Sequence, residues 1–580
     1  MSIPTRVVEQ VSNVLESLES GHVENVPHVR SGLFSQTAFM RMVLIFGSGL
    51  WLTAGANPVS ADEPVHAKID QLIESAAGMN VAPMADDAEF LRRVFLDIAG
   101  RIPSTAEAIA FLNDSAADKR TMLIDRLLAS PEYARRMREA WNVQLMERAG
   151  EHDEWTKFLE QSFATNKPWD KLVREILNPN PDDEATRGAA FFLTKRLENY
   201  GQQPVDLPGL TRDVGRLFLG VDLQCAQCHD HLFIEDYKQV DFQGLHTFLS
   251  HTTIRTDVKF PAIAEKPVDK KSEFMSVFVK EARTTGPRLP FGTEVEVPAF
   301  AKGEEFAVPP DRKVNFPGKL KFSPLAILSE QLPTSSNTLF VRNIVNRLWC
   351  QMVGRGLVHP LDLNHRGNPP SHPAVLDLLA NEFAAHQFDI KWLLRELALT
   401  RTYQRSSVLP AGLEREPRPE QYVVAIEKPL SSEQMLWSIL QATGELPRYQ
   451  PAVPSDGPPK ANPLFDDLRK SFLAAFANPP RDPEGEFAPS VKAALFLSND
   501  GKVLELLTPK EGNLADLLVK EADAAKLSDM LFLAVLTRAP SAEESEAVAR
   551  FLASRPDQRG KAVAQAIWAL ISSTEFCVNH

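Results

Sequence analysis

Several familiar sequence devices are missing. There is no glycine-rich phosphate loop, no G-x-S-x-G elbow and no H-E-x-x-H pair, so nothing reads as P-loop nucleotide chemistry, a hydrolase nucleophile or a zincin. Positive charge is short: 63 Lys and Arg stand against 76 Asp and Glu, a net charge of −13. That acidic balance argues against nucleic acid and anionic membrane surfaces as partners. No apolar run reaches the ~20 residues of a spanning helix. Cysteine is scarce, with four in 580 residues, so any cysteine motif stands out from the composition.

Proline, by contrast, is plentiful, at 43 residues, and predicts helices punctuated by irregular connections. At this length two to four domains are expected. Near the N-terminus, residues 42–56 read MVLIFGSGLWLTAGA. This apolar stretch follows Arg41 and leads to Val59-Ser60-Ala61, a small-x-small cleavage site before Asp62-Glu63. That is a secretory signal layout. A start at Met40 gives an ordinary signal peptide, so residues 1–39 are either a mis-assigned start or a cytoplasmic tail. Val7, Val8, Val11, Leu15 and Leu18 fall on one helical face and keep the tail reading open. The expectation is an exported chain, periplasmic or extracellular, with 1–61 as the signal region and no membrane span in its mature part.

The rest reads as mainly α: two multi-helical domains, 62–251 and 321–580, joined by a small β-containing insert or linker at 252–320. In the first, Phe90, Leu91, Val94, Phe95 and Ile98 have helical spacing, and Ser104 or Thr105 caps the next helix. Residues 155–177 predict one amphipathic helix or a pair broken around Lys167-Pro168. In the insert, VKFPAI, EVEVPAF and EEFAVP alternate in the manner of strands. From Ser323 the chain is helical again, with proline-rich connections at 408–425 and 447–463. There is also an internal echo. VFLDIAGRIPSTAE with a later LLASPEY matches LFLAVLTRAPSAEE with a later LISSTEF. Pro-Ser-x-x-Glu is a common capping box, so the paired endings are what suggest a duplication.

LQCAQCHDHLF, residues 223–233, carries the chemistry. Cys225-Ala226-Gln227-Cys228-His229 is a C-x-x-C-H sequence, the attachment pattern of c-type haem. Two thiols three residues apart reach the two vinyl groups of one porphyrin edge, and the following histidine falls under the iron. Composition alone would produce the pattern in roughly six chains per ten thousand. Export agrees with it, since haem is attached outside the cytoplasm. Two other readings stay open. Cys225, Cys228, His229 and His231 have donors that suit zinc or iron, although the spacing is cramped for a tetrahedral site. Cys225 and Cys228 could instead form a structural disulfide. Asp230 is placed to orient an imidazole N–H. His246, His251 and Met275 are candidate sixth ligands; the plainer reading makes His246 a packed or surface histidine and Met275 core filler. A single C-x-x-C-H excludes multihaem wiring within the chain.

Residues 354–377, GRGLVHPLDLNHRGNPPSHPAVLD, crowd His359, Asp362, His365, Arg366 and His372 into one loop. They could bind a metal or serve acid–base chemistry. The plainer reading is a solvated loop with Ser371 capping the helix that follows, braced by Asn346, Arg347 and Trp349. Cys350 and Cys577 read as lone buried residues, with a disulfide permitted by export if they meet.

The knot with its flanks, FLGVDLQCAQCHDHLFIEDYKQVDFQGLHTFL, together with FLRRVFLDIAGRIPSTAEAIAFL and LLASPEYARRMREAW, resembles the planctomycete cytochrome-C-like domain of unknown function, the second PSCyt-type family. VNRLWCQMVGRGLVHPLDLNHRGNPPSHPAVLDLLANEFAAHQFDIKWLLRELALTRTYQRSS, LSSEQMLWSILQATGEL, ALFLSND and ISSTEF resemble the companion PSD-type domain of unknown function. The resemblance runs from about residue 85 to the end. It implies a large, exported, mostly helical protein, often encoded beside a secreted sulfatase-like protein, and no known reaction. The chain departs from the family at Leu232, where proline is usual, and at Ile234-Glu235-Asp236-Tyr237, where a tryptophan is expected. Three functions follow as expectations: a single-haem cytochrome-c-like protein for electron transfer or redox support of a partner, a secreted binding or assembly module clamped by a metal or disulfide, and a hydrolase-like enzyme working at the 354–377 loop.

Overall fold

The computed structural model describes residues 63–78, 80–199, 204–410, 417–450, 462–482 and 491–580. The signal region read at 1–61 lies outside them. The described chain is mainly α, with two-stranded sheets as its only sheets. No described helix is long and apolar enough to cross a membrane.

Local chemistry sets the helix boundaries. Asp86, Ser104, Ser130, Ser323, Asp389, Ser431 and Ser541 each accept a backbone N–H at a helix start, which satisfies a donor that the helix itself leaves open. Ser104 and Ser541 do so within full capping boxes. The stretch around Lys167-Pro168 resolves into two helices, Asp153–Ala164 and Trp169–Leu177. Pro168 lacks an N–H and ends the first helical register there.

Apolar side chains gather into two cores. One runs from Ile69 to Leu249 and continues from Leu325 to Tyr422; the other takes Leu430 to Phe576 plus Leu96 and Ile102. The cores therefore divide near residue 425, whereas the sequence reading placed a domain edge at 320. The physical reason is the helix Thr338–Val353. Phe340, Ile344, Leu348 and Trp349 are fully buried. Polar positions of the same helix are tied to the first half as well: Asn343 donates to the Leu217 carbonyl at 2.7 Å and Arg347 to the Arg216 carbonyl at 2.9 Å. A helix buried on several sides belongs to the core it fills.

The insert consists of antiparallel pairs: Thr252–Ile254 with Ile263–Glu265, Ser272–Met275 with Ala282–Thr285, and Phe306–Val308 with Lys319–Leu320. EEFAVP contains a strand and VKFPAI reaches one, but EVEVPAF does not form one. Its alternation meets no partner strand, apart from a Val295 N–H donated to the Pro287 carbonyl at 2.7 Å, and Pro298 interrupts any ladder.

The internal echo is a repeated clamp. Arg101 follows the helix and π-turn that end at Ala99, and it pairs with Glu107 of the capping box at 2.8 Å and with Glu132 at 3.2 Å. Arg538 follows the helix Ala524–Leu536 and pairs with Glu544 of its capping box at 2.8 Å and with Glu575 at 2.7 Å. Each guanidinium also lies over a phenylalanine at the same interval back along the chain, Phe95 at 5.2 Å and Phe532 at 5.3 Å. One set lies in each half of the molecule.

Candidate functional site

The chain reaches the knot through the helix Leu207–Val214 and a π-turn, Gly215–Leu219, that ends at Gly220. Gly220 has φ +68°, and a Cβ there would sit 2.8 Å from the Asn343 side-chain oxygen. Only glycine combines that left-handed backbone with so close a neighbour. Asp222 then accepts the Gln224 N–H at 2.9 Å and starts a single 3₁₀ turn, Cys225–Gln227. Cys228 and His229 both donate their N–H groups to the Cys225 carbonyl, at 3.3 and 3.4 Å. Ala226 is buried under the turn, which leaves both thiols exposed and free of any disulfide.

The two histidines of the knot have opposite tautomers. The Nδ1 of His229 lies 2.7 Å from the Asp230 carbonyl oxygen. A carbonyl only accepts, so Nδ1 carries the proton and Nε2 keeps its lone pair. The Nδ1 of His231 faces two donors, the N–H groups of Phe233 at 3.1 Å and Ile234 at 2.9 Å. It must accept, so in the neutral ring the proton sits on Nε2. His229 offers a ligand nitrogen; His231 caps a turn. Asp230 does orient an imidazole, but through its main-chain oxygen. Its carboxylate accepts the Gln239 N–H at 2.9 Å, at the start of the helix Gln239–Leu249.

Tyr237, marked in the sequence only as part of a departure from the family, is the hub of the surroundings. It is fully buried, its carbonyl accepts the His231 N–H at 2.9 Å, and its ring meets His231 edge-on at 6.1 Å and His365 at 5.7 Å. Burial raises its phenol pKa, and the carboxylate of Asp222 adds to the effect. Its hydroxyl donates to the Asn364 carbonyl at 3.2 Å. The 354–377 loop thus lies against the knot. Asp222 donates to the Asp362 carbonyl at 2.8 Å, Asn364 to the Gly220 carbonyl at 3.0 Å, and Arg366 through its N–H to the Asp236 carboxylate at 2.7 Å. Two places that looked separate in sequence form one surface.

Within that loop the chemistry is structural. Asp362 pairs with Arg347 and lies 3.6 Å from Arg216, and Arg216 also pairs with Glu147 at 2.6 Å. Burial alone would lower the Arg216 pKa, but Glu147, Asp213 and Asp362 together raise it. Asn346 exchanges two hydrogen bonds with Val358, so Asn346 and Arg347 brace the loop as expected. Trp349 packs edge-on against Tyr422 at 5.3 Å instead. Ser371 does not cap the next helix; His372 occupies the cap position with no side-chain bond to it. Ser371 is drawn backwards, its N–H donated to the Leu357 carbonyl at 2.8 Å. His359, Asp362, His365 and His372 do not converge, and among the described residues no three His, Cys, Asp or Glu side chains form a group that could hold a metal ion.

The remaining ligand candidates separate clearly. His246 stacks on Phe242 at 5.8 Å and shares a 2.9 Å hydrogen bond with the Thr211 hydroxyl; burial lowers its pKa. His251 is engaged by the Ser250 hydroxyl at 3.0 Å. Met275 is not core filler: Phe274 turns inward, and Met275 points outward beside the knot. Cys350 and Cys577 are both free thiols, with no disulfide between them.

Residues 64–254 match the family model PSCyt2, protein of unknown function DUF1549. Residues 326–552 match PSD1, protein of unknown function DUF1553. The chain belongs to these two families, paired in that order. No curated protein and no solved structure matches it. The knot lies in the PSCyt2 half and rests on the 354–377 loop of the PSD1 half, and the PSD1 match itself straddles both cores.

Proposed function

We propose that this protein is an exported cytochrome-c-like protein that carries one haem c, bound through Cys225 and Cys228 and ligated by His229, and that it serves electron transfer or redox support of a secreted partner. The observation that carries this reading is the hydrogen bond between His229 Nδ1 and the Asp230 carbonyl. A proximal ligand needs a bare Nε2 and a second-shell acceptor on Nδ1, and the Asp230 carbonyl supplies that acceptor. The two free, exposed thiols on one turn supply the attachment points. Bound haem supplies one-electron exchange at a potential set by its ligands and its burial. The signal layout at 1–61 supports export, and the acidic charge supports a protein partner, sulfatase-like or redox-active, over a nucleic acid.

The zinc or iron clamp built from Cys225, Cys228, His229 and His231 is less well supported, because His231 would have to withdraw its acceptor from two backbone N–H groups. The test is expression with a signal peptide in a host that has the c-type maturation machinery, followed by intact mass and absorption after denaturation. A mass gain of one haem and a retained visible band are expected. A colourless chain of unmodified mass overturns the proposal; elemental analysis for zinc and iron then decides whether the clamp replaces it.

A further inference from the structure

The segment that follows the strand Ser272–Met275 is anomalous. Val277, Phe278 and Val279 are three consecutive large apolar residues, all exposed. A strand facing a core alternates, as Phe274 inside and Met275 outside do. A run that is apolar on every side and buried on none has no folding role, and such runs are errors unless they serve a function. The chain nevertheless holds this run in place against the knot. The Val277 N–H donates to the Cys228 carbonyl at 3.1 Å, the Gln239 side chain donates to the Met275 carbonyl at 3.2 Å, and the Phe278 ring lies 4.7 Å from the His229 ring. Beyond His231, Leu232 and Phe233 are also exposed, Phe233 at 90%. Six large apolar side chains therefore flank two free thiols and a histidine with an open nitrogen.

We infer that Met275–Val279, with Leu232 and Phe233, is the seat for the apolar faces of the haem; this rests on the function proposed above. The occupant follows from position. The patch is contiguous with the attachment thiols, and it is apolar where a macrocycle needs cover, since bound small molecules of this kind bury most of their surface against apolar and aromatic side chains. Met275 is exposed at the head of this run, and its thioether is the one sulfur among the six side chains. Unlike His231, His246 and His251, it has no hydrogen-bonding partner among the described residues, so it is the candidate for the second axial position.

The test is hydroxyl-radical labelling of the full chain, read residue by residue by mass spectrometry. The haem-loaded protein is compared with the Cys225→Ala/Cys228→Ala chain, and Met122, exposed and remote, serves as the control. Labelling of Met275, Phe278 and Phe233 is expected to slow several-fold in the haem-loaded protein alone. In the loaded protein, Met275→Ala is expected to abolish the far-red thioether-to-iron band, and Met275→His to replace it with a bis-histidine spectrum, with the haem mass unchanged in both. Equal labelling with the haem mass present overturns the seat and leaves the attached haem standing. Protection in both chains together with a dimeric mass by light scattering also overturns it, assigning the patch to a second copy. A wild-type chain without haem overturns the function proposed above, and the seat falls with it. A seat confirmed by labelling but a spectrum indifferent to Met275 removes only the axial role.

Discussion

Lys428 donates to the Asp97 carboxylate at 2.6 Å where the two cores meet. Asp97 is almost wholly shielded and Lys428 largely so. Asp97 also accepts from Asn579 and Tyr403, each at 2.8 Å, and Lys428 reaches the Met352 carbonyl at 2.6 Å. Burial lowers the Lys428 pKa, and Asp97 opposes the shift. Removing one partner of such a pair strands a buried charge and costs ~3–5 kcal/mol. Lys428→Met and Asp97→Asn should each lower the unfolding free energy, read from urea curves, by that order. The double variant should be less destabilised than the sum of the two, because no lone charge remains. Strict additivity would show that the two side chains act independently.

The two arginine clamps should differ in strength although they share one geometry. Glu544 and Glu575 are 2% and 4% exposed around Arg538, whereas Glu107 and Glu132 are 30% and 33% exposed around Arg101. Water screens the second set and compensates it on loss. Arg538→Ala is expected to cost ~3–5 kcal/mol, and Arg101→Ala ~1–2 kcal/mol. Denaturant curves of the two variants check the order; equal losses would mean that packing over Phe95 and Phe532, not ion pairing, sets the cost.

Glu433 ties stability to pH. Burial opposes its ionisation, but the Arg148 guanidinium bonds both its oxygens, at 2.8 and 3.1 Å, and the carboxyl is held down to about 2. A carboxyl whose folded pKa lies below its unfolded value stabilises the fold above the unfolded pKa and loses that stabilisation as pH falls through the folded one. The loss should fall between roughly pH 4.5 and 2 and amount to about 3 kcal/mol. Melting curves across that range should be flatter for Glu433→Gln, which is also less stable near neutrality. An unchanged slope would assign the acid sensitivity to other carboxylates.

Helix content and most caps were legible in sequence because they are local. Ser104 and Ser541 cap from within their own sequence windows, and Pro168 breaks a register on its own. What escaped was set by distance along the chain. Ser371 looks like a cap, yet Leu357 draws its backbone away. EVEVPAF alternates, yet finds no ladder partner. That the first core continues past residue 320 was not legible, because Asn343 and Arg347 tie the later helix to the π-turn before the knot only in three dimensions. At the site, C-x-x-C-H was legible as a motif, and the Asp230 role was read in kind but not in atom. Tyr237 was seen only as a departure from the family; that one buried ring touches both histidine clusters emerges only in three dimensions. The run at 277–279 draws no notice in sequence, and only its exposure in the folded chain reveals that nothing covers it.

The thiols should count as two and two. Cys225 and Cys228 are exposed. Burial pushes the Cys577 thiol up to about 12 and raises that of Cys350. The thiolate is the reactive form, so a thiol reagent at neutral pH should modify two groups quickly in the native haem-free chain and all four after denaturation. In a haem-loaded chain the fast pair should vanish and the slow pair persist. Loss of the fast pair without a haem mass would point to a disulfide, which reductant would reverse.

His229 and His231 offer the sharpest separation between ligand and cap. His231 accepts two backbone N–H groups, so His231→Ala strands both donors and should cost ~1–3 kcal/mol of local stability. Because the turn is at the surface, the freed donors can hydrate, which places the expected loss at the lower end. The bound group should be retained with its iron ligand in place. His229→Ala removes the only imidazole of the knot whose Nε2 lone pair is open. Covalent attachment through the thiols can survive it, but the spectrum should change to that of an iron lacking its proximal histidine, and added imidazole should restore the original in part. A four-donor metal clamp predicts the reverse pattern for His231: both histidine variants would release the metal to a similar degree. Comparing the two single variants for bound metal, absorption and melting temperature therefore distinguishes a haem ligand beside a turn cap from a pair of equivalent ligands.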